Sequence, residues 1–108
     1  MKISELLEKT DFALVSQLHD QEIEGAYVGD LLSFVMGKGG QGNAWVTIQA
    51  HKNILAVASL REFSCIIIAD DVAINDTFIQ DANEEGINVL KSKLPAYETC
   101  KVLIDLGI

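Results

Sequence analysis

A chain of 108 residues, 49% of them hydrophobic and only one a proline, is long enough for a single buried core and too apolar for disorder. Sixteen acidic side chains against eight basic ones leave a net charge of −8, a field that repels phosphodiester backbones and anionic lipid. Nucleic acid and membrane surfaces are therefore excluded as expected partners.

MKISELLEKT places acidic residues where a secretory leader would continue with an apolar run, and apolar runs such as ILAVASL (54–60) are too short to span a bilayer. The reading is a cytoplasmic protein. Cys65 and Cys100 have no CxxC spacing and no second pair with which to hold a metal, so both are expected as buried free thiols.

ISELLEKT (3–10) predicts a short helix with Ser4 as N-cap and Glu5 in its positive first turn. FALVSQ (12–17) predicts a strand, and after a polar turn GAYVG (25–29) predicts another. Asp30 is expected to cap a helix over LLSFVM (31–36), which is apolar nearly all round and ends at Gly37, Gly39 and Gly40. AWVTIQ (44–49) is β-branched and aromatic, a strand. NILAVASLRE (53–62) predicts a helix capped by Asn53, with Ile54, Val57, Ala58 and Arg61 on one side.

SCIIIA (64–69) is a continuous apolar run, as in a strand covered on both faces. NDTFIQDANEEG (75–86) has Asn75 as cap, Phe78 and Ala82 on one face and Gly86 as stop. INVL (87–90) is another buried strand. PAYETCKVLIDLG (95–107) predicts a closing helix with Pro95 in its first turn and Tyr97, Cys100 and Ile104 as its apolar stripe. Strands and helices alternate from residue 25 onward. The predicted fold is a single α/β domain over 1–108 with a mostly parallel β-sheet flanked by helices.

Gly37, Gly39 and Gly42 satisfy G-x-G-x-x-G, with Lys38 among them. A dinucleotide cradle needs those glycines to follow a strand and open a helix. Here the order is reversed, and the loop adjoins the negative end of a helix. No Ser or Thr follows Gly37-Lys38, so the P-loop pattern fails too. The segment is expected to be a flexible helix-to-strand connection.

Open parallel sheets bind ligands at the carboxyl ends of their strands. Gly29-Asp30 with Ser33, then Gln49 to Asn53, Asp70-Asp71 and Lys91-Ser92 would lie along that edge. QAHKN (49–53) is the densest of these loops, where His51 could grip an anion. Against this, Asn53 serves as a cap and His51 bonds a carbonyl. Asp30, Ser33, Gln49, His51 and Asn53 form the candidate ligand site. Asp30 with Asp70 and Asp71 offers a weaker case for a metal than Asp30 as a simple cap. No nucleophilic triad can be placed.

YVGDLLSFVM, GNAWVTIQAHKNILAVASL, CIIIAD, ANEEGINVL and AYETCKVLIDLGI together resemble the DRTGG domain, and the stand-alone proteins similar to the amino-terminal domain of HPr kinase/phosphorylase. The resemblance runs from about Gly25 to the end. It implies an HPr kinase N-terminal domain-like fold, a regulatory or assembly role and a homodimer. The pattern departs where Leu31 follows Asp30 in place of arginine, and where IIIADD stands at the expected Thr-Gly-Gly element. The P-loop half of HPr kinase is absent, so kinase activity is not implied.

The expected function is a non-enzymatic regulatory or protein-interaction domain, homodimeric, with no cofactor, no metal and an unidentified protein partner. The alternative is a sensor for a nucleotide or phosphorylated metabolite at the strand edge.

Overall fold

The computed structural model describes all 108 residues. In chain order the elements are α1 (Ile3–Lys9), β1 (Ala13–Leu14), β2 (Gly25–Val28), α2 (Leu32–Lys38) and β3 (Asn43–Thr47). They continue with α3 (Lys52–Arg61), β4 (Cys65–Ile68), α4 (Asp76–Glu85), β5 (Val89–Lys91) and α5 (Ala96–Asp105). The five strands form one sheet in the order β1-β5-β4-β3-β2, parallel except for β1, which runs antiparallel to β5. This is the α/β fold with a mostly parallel sheet that the alternation of elements predicts.

The pleat of β3 and β4 divides the core in two. Trp45, Ile66 and Ile68 face one side with Val35 of α2, Ile54, Leu55, Val57 and Ala58 of α3, and Phe78 and Ala82 of α4. Ala44, Val46, Cys65 and Ile67 face the other, against Ile3 and Leu6 of α1 and Leu103 of α5. Strands β2 to β5 are neighbours in sequence order, so crossovers of one hand put α2, α3 and α4 on the same face. The second face is left for the two helices outside that series. No helix is long and apolar enough to cross a membrane.

Segment 12–17 departs from the expected strand. Only Ala13–Leu14 joins the ladder. Ser16 then donates its hydroxyl to the Ile87 carbonyl and accepts from the Val89 N–H, both at 2.8 Å. Buried Asn88 holds the chain at His19, donating to the carbonyls of His19 and Ser64 and accepting from the His19 N–H. Side-chain bonds thus replace a strand pairing, and the backbone stays satisfied.

Three expected caps are not used. Helix α1 starts at Ile3, and Ser4 gives its N–H and its hydroxyl to the Asp20 carboxylate at 3.0 and 2.6 Å. Those bonds hold the Asp20 carboxyl below its ordinary range. Asp30 is drawn away from α2, whose N-cap is Leu31, and Asn53 lies inside α3, whose N-cap is His51. Asn75 does cap α4, accepting from the Phe78 N–H at 2.8 Å, and Gly86 ends that helix at φ +69°.

In α5, Thr99 and Leu103 are buried while Tyr97 and Ile104 are exposed, so the inward face differs from the expected stripe. Thr99 can turn inward because its hydroxyl is paired with Ser92 at 2.8 Å. Pro95 sits just before the helix rather than within its first turn. Cys65 is fully buried, which pushes its thiol up to about 12, while Cys100 is half-buried with its thiol raised for the same reason.

Asn75→Ala should lower stability by about 1 kcal/mol with no change in fold, because one orphan N–H of α4 loses its acceptor. Urea denaturation of the variant against the parent measures it.

Candidate functional site

At the carboxyl edge of the sheet, Asp30 leaves β2 and turns toward the end of β3. Its Oδ1 accepts from the Thr47 hydroxyl at 2.6 Å and from the Ile48 N–H at 2.9 Å. The Gln49 N–H donates to the same Thr47 hydroxyl at 3.2 Å. Asp30, Thr47 and Gln49 therefore form one bonded chain that ties the two strand ends together. Ser33, His51 and Asn53 are exposed and share no hydrogen bond with this chain. Thr47 is the member that sequence reasoning passed over, and its signal was a polar residue closing an otherwise apolar strand.

One polar atom in this region has no partner. Gln49 Oε1 is buried and accepts nothing. A buried amide oxygen left unbonded costs about 1–3 kcal/mol, which marks it as a place where a further donor would be stabilised.

The turn after β4 carries backbone strain. Asp70 and Asp71 have φ of +66° and +52°, left-handed values that glycine adopts freely and aspartate less so. Their N–H groups donate to the carbonyls of Leu94 and Ser92 at 2.7 and 3.1 Å, and Asp71 pairs with Lys91 at 3.2 Å. The bonds hold the loop after β5 against the end of β4. No three His, Cys, Asp or Glu side chains converge as a metal-binding group.

The glycine loop lies at the opposite edge and is pinned rather than flexible. A Cβ on Gly39 would run into the Phe63 ring, and the Arg61 guanidinium bonds the Gly39 carbonyl at 2.6 Å. Gly42, at φ +79°, donates to the Glu62 carbonyl, and Gly40 donates to the Asn43 side chain. The adjoining cleft holds Glu22, Glu24 and Glu62, so its field opposes phosphate.

Two other clefts are more apolar. One of about 330 Å³ lies between the end of α1, the loop after β5 and α5, and includes Lys9, Phe12 and Lys93. The second, about 220 Å³, is an entirely hydrophobic groove between β2 and α5. Its residues include Val28, Cys100 and Ile104. Neither contains any of the five candidate ligand residues.

The chain is thus an α/β domain with a DRTGG-like fold. It superposes on the crystal structure of the CBS and DRTGG domains of the regulatory region of Clostridium perfringens pyrophosphatase, complexed with its activator diadenosine tetraphosphate. The TM-score is 0.72 at 11% sequence identity, and the match covers 94% of this chain and 45% of that one. This chain therefore spans less than half of that regulatory structure. No protein-family model matches the sequence, and no curated protein does.

Because the backbone at Asp70 is left-handed, Asp70→Val should cost about 2 kcal/mol while Asp70→Gly costs nothing or stabilises slightly. Equal losses in thermal denaturation would contradict the left-handed assignment.

Proposed function

We propose that this chain is a non-enzymatic regulatory and protein-interaction domain, one DRTGG-like unit over 1–108 that acts as a cytoplasmic homodimer. Kinship with the amino-terminal domain of HPr kinase belongs to the same proposal. The observation that carries it is the apolar surface around the free edge of the sheet. Strand β2 pairs only with β3, so its outer backbone groups have no ladder partner. Val28 is 51% exposed on that strand, with Phe34 of α2 at 55% on one face and Ile104 of α5 at 68% on the other.

Helix α2 itself is only partly used by its own domain. Val35 is buried, Leu32 and Met36 pack beside it, and Leu31 and Phe34 face outward. A second copy related by a two-fold axis could pair its own β2 antiparallel with this one and cover both faces at once. At roughly 25 cal/mol per Å² of apolar surface removed from water, such a contact has a clear driving force. The hydrophobic groove beside β2 contains no charged side chain, which spares two copies of a chain carrying −8 from repulsion at the contact.

Sedimentation velocity over a range of concentrations should show a dimer. Phe34→Glu or Ile104→Lys should each weaken it by at least ~10-fold while leaving the circular dichroism spectrum unchanged. A parent protein that sediments as a monomer at every concentration would reject this reading.

A second reading rests on Gln49. The unpartnered Oε1 of Gln49, an acceptor that a base amino group or sugar hydroxyl could meet, supports a sensor for a nucleotide or phosphorylated metabolite along the strand edge, with His51 and Asn53 at its rim for the phosphate. The nucleotide activator bound by the pyrophosphatase regulatory region is consistent with such a role. In a titration with ATP, AMP and acetyl phosphate, amide shifts at Asp30, Ser33 and 49–53 should appear and be lost in the His51→Ala/Asn53→Ala double variant. Unchanged affinity in that variant would reject the site.

A further inference from the structure

We propose that the cleft between α1, the β5–α5 loop and α5 binds a small organic anion: an apolar or aromatic body carrying a phosphate or carboxylate group. The inference is independent of the assembly reading and concerns a place away from Asp30 and Gln49.

The cleft has the composition of a ligand site. Its volume of about 330 Å³ falls at the small end of the 300–1,000 Å³ usual for such sites. Phe12 and Val102 give it apolar surface, and Leu94 stands 40% exposed beside them. Lys9 and Lys93 supply the charge. Neither is in an ion pair, although Lys91 and Lys101 both are. Two unpaired ammonium groups outnumber the single carboxylate, Asp11, at this cleft of mixed polarity, and together with Phe12, Leu94 and Val102 they favour an anion with an apolar body. Asp11, at the same cleft, adds an acceptor for a hydroxyl or amino group on that body.

The wall is also preorganised. Residues 92–94 are fixed by the Ser92 N–H on the Ile68 carbonyl, by the Asp70 and Asp71 N–H groups on the Leu94 and Ser92 carbonyls, and by the Ser92–Thr99 hydroxyl pair. The Leu94 N–H closes the turn on Ser92 Oγ. The two left-handed aspartates are thus held where they fix the wall of this cleft, and strained backbone of this kind is retained at sites that need a fixed geometry. A wall already ordered adds little entropic cost to binding.

The test is an amide-resolved titration of the full chain with phenyl phosphate, benzoate and AMP, with inorganic phosphate as the bare anion. Phenyl phosphate or AMP should move the amides of 9–12 and 92–94, and benzoate moving them instead would assign the anion as a carboxylate. Lys9→Ala/Lys93→Ala, at two exposed positions, should weaken binding by at least ~10-fold. Lys38→Ala/Lys52→Ala removes the same charge elsewhere and should leave affinity unchanged. The proposal is overturned if no probe moves these amides, if inorganic phosphate binds as well as phenyl phosphate, or if the two double variants weaken binding equally. Shifts confined to Asp30 and 49–53 would also overturn it, while leaving the strand-edge reading standing.

Discussion

The structure depends on one constraint: the strand Cys65–Ile68 must be kept from water on both faces. All four of its side chains are buried, alternating between the two halves of the core. A sheet covered on one side only would leave Cys65 and Ile67, or Ile66 and Ile68, exposed at a cost of a few kcal/mol. Two layers of helix are therefore required. Because α2, α3 and α4 are all committed to one face by their crossovers, the other face depends on α1 and α5, drawn from the two ends of the chain. Two helices cover five strands incompletely, and the shortfall appears at β2, where Ala26 and Val28 remain in contact with solvent. The apolar groove is thus a consequence of the same constraint that builds the core.

Most of the fold was legible because its signals are local. The apolar run at 64–69, the β-branched segment at 44–49 and the Asn75-to-Gly86 helix each carry their own pattern, and the elements form there, the strands trimmed to Cys65–Ile68 and Asn43–Thr47. What sequence could not supply was the choice among partners. Ser4, Asp30 and Asn53 all have the chemistry of a cap, yet two of them found acceptors or donors distant in sequence: Ser4 in Asp20, Asp30 in Thr47 and Ile48. A short polar side chain bonds whatever the tertiary fold brings near, and capping is only the nearest option. The inward face of α5 does not follow its apolar stripe for a related reason. Thr99 looks like a surface residue until Ser92 is placed beneath it.

The candidate site divides in the same way. Asp30 and Gln49 do meet, through a threonine that no motif singled out, whereas Ser33, His51 and Asn53 share only an edge of the sheet. Spacing placed the loops correctly at the strand ends. It could not say which side chains would be consumed by structure. The lysine cleft was invisible for a stricter reason: Lys9 and Lys93 are brought together only by α1 and the end of β5, segments far apart in sequence.

That pairing of distant segments has a kinetic side. Strands β2 to β5 each lie next to their sequence neighbour, so the sheet can assemble progressively as the chain is synthesised. Strand β1 is different, because its only ladder partner is the last strand to emerge. Ala13 and Leu14 must therefore wait until β5 is in place, whereas Ile3 and Leu6 of α1 share a cluster with Ala44, Val46, Cys65 and Ile67 of the two strands that emerge before it. In the finished molecule this two-residue edge strand, whose side chains are exposed, is the natural unit to detach first. Its backbone amides should exchange with solvent ahead of those in β3 and β4, by an opening that leaves the rest of the sheet intact.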